Sequence, residues 1–222
     1  MKNMKNSQFT NSFPNSYLAQ PKSGTGKGVL VIHAWWGLNQ FFKDLCDRLA
    51  GEGFFVVAPD LYHGRIASTI DEAKKLRSKL KQERVAEEIT QAADQLQRVC
   101  CLSGQGLGVM GFSLGGYWGL WLAEQESSLV TATIVFYGSR NGDYSKGQSA
   151  FQFHLAETDE YVASSGVKKL QKSLAVADKV ATFYTYPGTS HWFFESDRPD
   201  AYNSQAAQLA WNRSVEFLKL YI

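Results

Sequence analysis

The sequence predicts an α/β protein with a doubly wound, mostly parallel sheet and helices on both faces. Short apolar runs alternate along the chain with longer stretches that have helical periodicity. The short runs are apolar throughout, which indicates strands buried on both faces. A chain of 222 residues can bury such a core within one domain, and no repeat or Pro- or Ser-rich linker divides it.

The first half of the chain supplies three predicted strands and two helical regions. Residues 29–33 form an apolar run, and residues 41–50 follow with apolar side chains at helical spacing before two glycines end the helix. Residues 54–58 form a second apolar run, which a proline stops. Residues 71–99 have helical patterning long enough for one or two helices, and residues 107–111 form the third strand.

The second half continues the alternation through three more predicted strands. A helix over residues 114–125 begins directly after the third strand, and an amphipathic helix over residues 201–220 closes the chain. Between them lie, in order, the strands 131–137 and 151–156, the helix 162–177 and the strand 181–186. The segment between residues 136 and 151 is too short for a separate lid domain.

The N-terminal residues differ in composition from the remainder. Residues 1–20 are rich in Asn and Ser, and we expect an N-terminal arm that is either mobile or added as a strand to the sheet edge. Residues 21–222 are then the single domain. The arm has two lysines but no continuous apolar segment, unlike a signal peptide. No apolar run approaches the roughly 20 residues that cross a bilayer, so we expect no membrane partner.

Charge and cysteine content exclude several classes of partner and cofactor. The formal net charge of +2 gives no large field that would attract nucleic acid. Cys46, Cys100 and Cys101 contain no CxxC pair and predict neither a metal site nor a disulfide framework. This cysteine usage suggests a cytoplasmic protein. No metal cluster or phosphate-binding loop is evident, so no cofactor is expected.

The third predicted strand is followed by a G-x-S-x-G pattern. Gly111, Ser113 and Gly115 form it, and it lies between a strand and a helix, the context that marks a nucleophilic serine. The sharp turn strains the serine backbone, and glycines two positions away let strand and helix approach without clashes. We therefore predict that Ser113 is a nucleophile. The alternative is a tight turn in which Ser113 only caps the helix.

A serine nucleophile needs an adjacent base, and the base needs an orienting carboxylate. Around such a turn the chain order is Ser, then Asp or Glu, then His. This order disfavours His33 and His63, and His154 lies within a predicted strand. His191, in the loop after the sixth strand, is the predicted base.

The orienting carboxylate is expected in the loop after the fifth strand. Asp159 is the predicted acid in that loop, and Glu157 and Glu160 remain alternatives. Their positions along the loop distinguish them only weakly.

Cleavage of an ester or amide puts negative charge on the carbonyl oxygen, which backbone N–H groups must meet. Leu114 is predicted to supply one N–H group, and the loop after the first strand the other. In that loop Trp35 is the predicted donor, with Ala34 or Trp36 as alternatives.

Aromatic side chains near the motifs are expected to line a shallow substrate pocket, although ordinary packing is the alternative for the paired tryptophans. These side chains are Trp35, Trp36, Tyr62, Tyr117 and Trp192.

Short segments along the chain, several of which carry these candidates, match a known enzyme family. They are Trp36-Gly37-Leu38-Asn39, Val57-Ala58-Pro59-Asp60-Leu61-Tyr62, Gly111-Phe112-Ser113-Leu114-Gly115-Gly116, Thr158-Asp159-Glu160, His191-Trp192-Phe193-Phe194, Arg198-Pro199 and Ala210-Trp211-Asn212-Arg213. Together they resemble the dienelactone hydrolase family over most of the chain, from about residue 28 to residue 217. The resemblance implies the α/β-hydrolase fold and adds support for Asp159 and His191.

Departures from that family bear on the reaction. Enzymes of the dienelactone type carry a cysteine nucleophile where this sequence has Ser113, and an oxyanion-loop glutamate where it has Ala34. With a serine nucleophile and without that glutamate, the resemblance implies a conventional Ser-His-Asp esterase cycle. The arginine with which those enzymes hold a substrate carboxylate would fall near Glu195, and Arg198, close by, is the remaining candidate for substrate binding.

The sequence thus predicts a hydrolase that cleaves small carboxylic esters or lactones through an acyl-enzyme. A non-catalytic binding or regulatory protein on the same scaffold is one alternative, and an amide hydrolase or acyltransferase is another. The presence of all three candidate residues in suitable loops favours the hydrolase.

Overall fold

The computed structural model describes residues 15–100, 106–126 and 128–222, and a seven-stranded sheet runs through them. The strands are β1 (Ser16–Ala19), β2 (Gly28–Ile32), β3 (Phe55–Pro59), β4 (Leu107–Phe112), β5 (Val130–Phe136), β6 (Ala150–Ala156) and β7 (Ala181–Tyr186). Their order in the sheet is β1-β3-β2-β4-β5-β6-β7. Every neighbouring pair is parallel except β1 and β3, which are antiparallel.

Helices cover both faces of the sheet, so the predicted fold class is confirmed. They are α1 (Gln40–Gly51), α2 (Ile70–Ser78), α3 (Gln82–Cys100), α4 (Leu114–Gln125), α5 (Ser164–Val176) and α6 (Ser204–Tyr221). The apolar faces of α1 and α6 pack in one core cluster, through side chains such as Phe42, Leu49 and Trp211. Those of α3, α4 and α5 pack in a second cluster on the other face, which includes Ile89 and Leu170.

The element boundaries follow the hydrophobic pattern to within about three residues. The helical region predicted over residues 71–99 is two helices, and α2 begins with a capping box in which Thr69 and Glu72 bond each other's backbone N–H groups. The predicted arm over residues 1–20 lies mostly outside the described residues, as does Cys101. Its last part is β1, which adds a strand to the sheet edge.

The parallel strands all end at one edge of the sheet, which we call the carboxyl edge. The loops after β2, β4, β5, β6 and β7 meet there because these strands are neighbours in the sheet. The segment from β5 to β6, residues 137–149, contains no helix or strand and forms no lid. The candidate residues from four separate loops are therefore brought together at the carboxyl edge.

Candidate active site

Ser113 lies on a sharp turn between β4 and α4. Its backbone adopts φ 50° and ψ −106°, a strained conformation for a residue with a side chain. The turn is held on both sides, because the Ser113 N–H donates to the Phe136 carbonyl (3.0 Å) and the Tyr117 N–H donates to the Ser113 carbonyl (3.1 Å). The Ser113 side chain makes no cap to the helix. Its hydroxyl is therefore free to serve another purpose at the N-terminus of α4.

Two glycines make this turn possible. A methyl group on Gly111 would overlap the carbonyl of Gly115, and one on Gly115 would overlap the carbonyls of Ile32 and His33. These are backbone atoms, which cannot move without displacing β2 or α4. The close approach also sets the distance between the serine turn and the loop that follows β2.

His191 lies between Ser113 and Asp159. Its Nε2 is 2.9 Å from the Ser113 Oγ, and its Nδ1 is 2.8 Å from the Asp159 Oδ2. Since a carboxylate only accepts, the imidazole proton lies on Nδ1, which leaves Nε2 to accept the serine proton. His191 is 3% exposed, and the Asp159 side chain is 11% exposed. The contact is thus largely shielded from water.

The loop after β6 places Asp159, and neither of its two alternatives, against the imidazole. The Asp159 Oδ1 also accepts from the N–H groups of Tyr161 and Val162, both at 2.9 Å. Glu157 instead accepts from the Gly188 N–H at 2.9 Å, and Glu160 is exposed. The two backbone bonds hold the Asp159 carboxylate in one orientation towards His191.

The loop after β2 is anchored by a buried histidine. The His33 Nε2 accepts from the Leu61 N–H at 3.2 Å, so its proton lies on Nδ1 and is donated to the Ala34 carbonyl at 2.6 Å. His33 is completely buried, and this burial lowers its pKa. A neutral imidazole therefore ties the segment next to Trp35 to the end of β3.

Ser113 opens into a cavity of about 410 Å³, the Ser113 cavity. Trp35 and Leu114, the predicted oxyanion donors, both line it, and so does Tyr117. Ala34 is not part of its wall, and Trp36 lines a different cavity. The rest of its wall includes Arg77, Leu80, Gln82, Trp118, Tyr161 and Val162.

A second cavity of about 550 Å³, the Arg198 cavity, has His191 in its wall. Trp36, Trp192 and Arg198 line it together with Asp159 and His191. The Arg198 guanidinium stacks on the Trp36 ring at 3.8 Å and donates to Asp197 at 3.3 Å. The predicted substrate-binding residues are therefore divided between two cavities: Ser113 lines one of them, and His191 and Asp159 line the other.

Tyr62 is brought to neither cavity. It follows β3, which is separated from β4 by β2, and its ring packs 5.3 Å from the His33 ring. Only 5% of it is exposed. The structure therefore places Tyr62 apart from the other predicted substrate-binding residues and against the His33 ring, because β2 lies between β3 and β4 in the sheet.

Sequence reasoning missed three residues around the imidazole. The rings of Tyr137 and Tyr161 lie 4.8 and 4.9 Å from the His191 ring. The carboxyl group of Glu195 is completely buried and accepts from the Tyr137 hydroxyl at 2.7 Å. Burial raises the pKa of Glu195 to about 8. Tyr161 is adjacent to the acid loop and could have been suspected, whereas Tyr137 and Glu195 carry no local motif.

His154 lies in the core, as a histidine inside a strand suggests. Its Nδ1 is 2.7 Å from the Tyr186 hydroxyl, and its Nε2 is 2.9 Å from the Gln152 Oε1. Burial lowers the pKa of His154 to about 3, so it stays neutral at neutral pH. It takes no part in the site at Ser113.

The described residues contain neither a cluster of metal-ligating side chains nor a helix suited to cross a membrane. Among residues 15–100, 106–126 and 128–222, no group of three or more His, Cys, Asp or Glu side chains could hold a metal ion. Over the same residues, every helix falls short of the length and apolar content required to cross a membrane.

The arrangement is chemically suited to nucleophilic substitution at a carbonyl. A hydroxyl, an imidazole and a carboxylate form a continuous hydrogen-bonded line that can move one proton along a defined path. The positive end of α4 points at the same place and favours negative charge there.

Sequence comparison identifies relatives that extend over nearly the whole chain. A model of the dienelactone hydrolase family matches residues 15–222. Protein usf of Aquifex pyrophilus is 35% identical over 215 residues, which cover 93% of this chain and 93% of that protein. A protein of Aquifex aeolicus with the provisional name carboxymethylenebutenolidase is 33% identical, with the same coverage of both chains.

Solved structures share the architecture at lower sequence identity. A dienelactone hydrolase-like promiscuous phosphotriesterase from metagenomic libraries superposes with a TM-score of 0.79 at 22% identity, over 90% of this chain and 88% of that one. An esterase of Thermogutta terrifontis superposes with a TM-score of 0.66 at 16% identity, over 91% and 86%. At these identities the likeness shows the α/β-hydrolase fold alone.

Proposed function

This chain belongs to the dienelactone hydrolase family, and from that premise we propose that it cleaves small carboxylic esters and lactones with Ser113, His191 and Asp159 as its catalytic triad. The observation that carries this proposal is the line of contacts from the Ser113 Oγ to His191 (2.9 Å) and from His191 to Asp159 (2.8 Å). Both distances are within the hydrogen-bond reach that a nucleophile, its base and an orienting acid require, which supports the proposal.

In the first half of the reaction, the Ser113 Oγ attacks the substrate carbonyl carbon while its proton passes to the His191 Nε2. Asp159 holds the imidazole tautomer and stabilises its charged form. The tetrahedral intermediate collapses, the leaving alcohol takes the proton from His191, and an ester bond to Ser113 remains. In a lactone, the leaving alcohol stays attached to the acyl group.

In the second half, water replaces the alcohol. His191 accepts a proton from the water molecule, whose oxygen attacks the acyl carbon. Collapse of the second tetrahedral intermediate returns the proton to the Ser113 oxygen and releases the carboxylic acid. No cofactor is consumed in either half.

The backbone N–H groups of Leu114 and Trp35 are proposed to stabilise the negative charge on the substrate oxygen. Both residues line the Ser113 cavity. Leu114 is the first residue of α4, where backbone N–H groups have no partner within the helix. The loop that carries Trp35 is anchored through His33. Preformed donors of this kind typically contribute about 3–4 kcal/mol each to lowering the barrier.

The Ser113 cavity favours small substrates. Its volume of about 410 Å³ lies at the lower end of the range for small-molecule sites. Aromatic rings of Trp35, Tyr117 and Tyr161 form part of its wall, so apolar or planar acyl groups suit it better than long chains. The absence of an elaborated segment between β5 and β6 leaves it open to solvent.

The proposal is tested by assaying p-nitrophenyl esters from acetate to octanoate, together with a small lactone. Ser113→Ala is expected to lower kcat on the order of 10⁶-fold, and Asp159→Asn about 10⁴-fold through loss of the correct tautomer. Two matched controls are Ser78→Ala, on the exposed surface of α2, and Glu157→Gln, a residue whose side chain bonds only the Gly188 N–H in the described structure. Both controls should retain activity.

Turnover of the short-chain esters that disappears in Ser113→Ala and persists in the two control variants supports the proposed triad. Turnover that survives Ser113→Ala would show that the nucleophile is another residue. If Glu157→Gln were as damaging as Asp159→Asn, the assignment of the acid would be wrong.

A further inference from the structure

Glu195 carries a carboxyl group that is enclosed by the protein and that no cation among the described residues bonds. It is 0% exposed, and its Oε2 is buried without a hydrogen-bond partner among the described residues. The nearby Arg198 pairs with Asp197 instead. Burial of a carboxyl group is costly unless its hydrogen bonds are satisfied. Its single side-chain hydrogen bond, from the Tyr137 hydroxyl to Oε1 at 2.7 Å, is therefore the contact to explain.

Tyr137 connects this carboxyl group to the imidazole. It directly follows β5, it is 0% exposed, and its N–H donates to the His154 carbonyl at 2.8 Å. One end of its side chain is held by Glu195, and its ring packs against the His191 ring at 4.8 Å with an angle of 56° between the planes. The Tyr137 ring is therefore a buried surface against which the His191 imidazole packs.

The other contacts of the imidazole leave its tilt to be set by ring packing. Asp159 and Ser113 bond its two nitrogens, which lie in the plane of the ring. Hydrogen bonds in that plane resist rotation within it but only weakly resist tilting out of it. Two further rings contact the imidazole. Trp192, the next residue in the chain, meets it edge-on at 5.0 Å, and Tyr161, which is 38% exposed, lines the Ser113 cavity. Tyr137 is the flanking tyrosine that is anchored inside the protein.

We infer that Glu195, through its hydrogen bond to Tyr137, is a positioning residue that keeps His191 aligned between Ser113 and Asp159. This inference rests on the proposed function, because it matters only if His191 transfers protons. The imidazole must point its Nε2 first at the Ser113 oxygen and then at the leaving group, so a small tilt lengthens one of the two transfers. Misplacement of a catalytic group by even 1 Å can cost roughly 100-fold in rate.

Four variants separate positioning from simple stability. Tyr137→Phe removes only the hydroxyl, Glu195→Leu removes the acceptor, and Glu195→Gln keeps an acceptor oxygen for Tyr137. Tyr144→Phe is the matched control, because Tyr144 is also a buried tyrosine whose hydroxyl bonds one acceptor, the Arg140 carbonyl at 3.0 Å. It belongs to the core cluster on the other face of the sheet.

Each variant is assayed for kcat and KM on the ester that the wild type cleaves best. The Nδ1 proton resonance of His191, assigned by its loss in His191→Ala, is followed by NMR. Tyr137→Phe and Glu195→Leu are expected to lower kcat about tenfold with KM within about twofold of wild type, and to broaden the resonance. Glu195→Gln should retain kcat and a sharp resonance, and Tyr144→Phe should lose only thermal stability.

Two results would overturn the inference: kcat and the resonance unchanged in folded Tyr137→Phe, or Glu195→Gln as damaging as Glu195→Leu. Should Glu195→Leu fail to fold, Tyr137→Phe still decides, since it removes a single oxygen. The NMR readout needs no substrate. Suppose that the wild type cleaves no ester but the resonance broadens in Tyr137→Phe and Glu195→Leu and stays sharp in Glu195→Gln. The proposed function would then fail, whereas the role of Glu195 and Tyr137 in positioning the His191 ring would still be supported.

Discussion

At the scale of single residues, ionisable groups in this protein behave according to how far they are removed from water. Glu195 and His154 are both completely buried, and burial moves their pKa values in opposite directions, to about 8 and about 3. In each case burial favours the neutral form. The neutral states are therefore part of the folded structure, and the pH dependence of stability should reveal them.

Replacement of Glu195 by Gln should stabilise the protein more at pH 7.5 than at pH 5. The pKa of Glu195 rises from 4.5 to about 8 on folding. Below pH 4.5 the Glu195 carboxyl group is protonated in both the folded and the unfolded protein, so burial of this group does not lower the free energy of unfolding through ionisation there. As the pH rises towards 8, the unfolded state ionises while the folded state does not, and stability is lost at about 1.4 kcal/mol per pH unit. Gln cannot ionise, so the gain in unfolding free energy of Glu195→Gln over wild type should be about 3 kcal/mol larger at pH 7.5 than at pH 5.

Urea unfolding of both proteins at the two pH values measures this difference. The comparison between pH values cancels any packing effect of the amide, which is the same at both. An equal effect of the substitution at pH 5 and pH 7.5 would mean that Glu195 is already ionised in the folded protein.

At the scale of elements, the β4–α4 turn is the feature on which the site is built. The strained Ser113 backbone, with φ 50°, is tolerated because Gly111 and Gly115 let β4, β2 and α4 approach closely. The conformation of one residue thus depends on backbone contacts among three elements. Because these contacts require glycine at two fixed positions beside Ser113, they leave a local pattern in the sequence from which the turn can be predicted.

Gly115→Ala should damage both stability and activity. The added methyl group would overlap the carbonyls of Ile32 and His33 at the end of β2. We expect a loss of roughly 3 kcal/mol or more in unfolding free energy and a large fall in kcat, because overpacking against backbone has no simple relief. Urea unfolding and ester turnover measure the two effects.

Gly51→Ala is the matched control for this substitution. Gly51 ends α1 and has nothing within 4 Å of an added methyl group. Alanine in a helix should be neutral or stabilise by up to about 1 kcal/mol. A Gly115→Ala protein as stable and active as Gly51→Ala would contradict the close approach of α4 and β2.

The elements themselves were largely predictable because their signals are local. Six of the seven strands and the helices were predicted from apolar runs and helical spacing, and α4 was predicted from its first residue to its last. The pattern does not predict where residues 71–99 divide into α2 and α3, since both halves are helical in pattern. An edge strand is only one of the two alternatives that the sequence allows for the arm, because the four residues of β1 acquire a partner only in the folded sheet.

At the scale of the whole molecule, β1 closes the sheet beyond β3. Its four residues pair with β3 from Ser16 opposite Pro59 to Ala19 opposite Val56. The Tyr17 hydroxyl also donates to Asp47 of α1 at 3.0 Å. Without β1, an apolar strand would present its unpaired backbone groups at the edge, which is a template for association.

Deletion of residues 1–19 should therefore promote aggregation and lower the melting temperature, while the protein that stays folded keeps its kcat. Ser113 follows β4, which is separated from β3 by β2, so the site does not depend on β1 directly. Light scattering, thermal unfolding and ester turnover measure the three properties. A chain that begins at Asn15 retains β1 and serves as the control. Equal solubility and stability of the two truncated proteins would show that β1 contributes nothing to the sheet edge.

The sequence by itself determined the α/β class, the order of strands and helices, the G-x-S-x-G turn and the candidates Ser113, Asp159 and His191. The class and the elements follow from local periodicity, and Ser113 follows from a motif whose residues are consecutive in the chain. His191 and Asp159 follow from the chain order around such a turn, together with the resemblance to the family. Only the tertiary structure decided which side chains share a cavity. It separated Trp35 and Tyr117 from Trp36, Trp192 and Arg198, directed Tyr62 towards His33, and joined Tyr137 to Glu195 across 58 positions of sequence. The physical reason is that such contacts depend on strand order and on packing between distant loops, which leave no periodic signal in the chain.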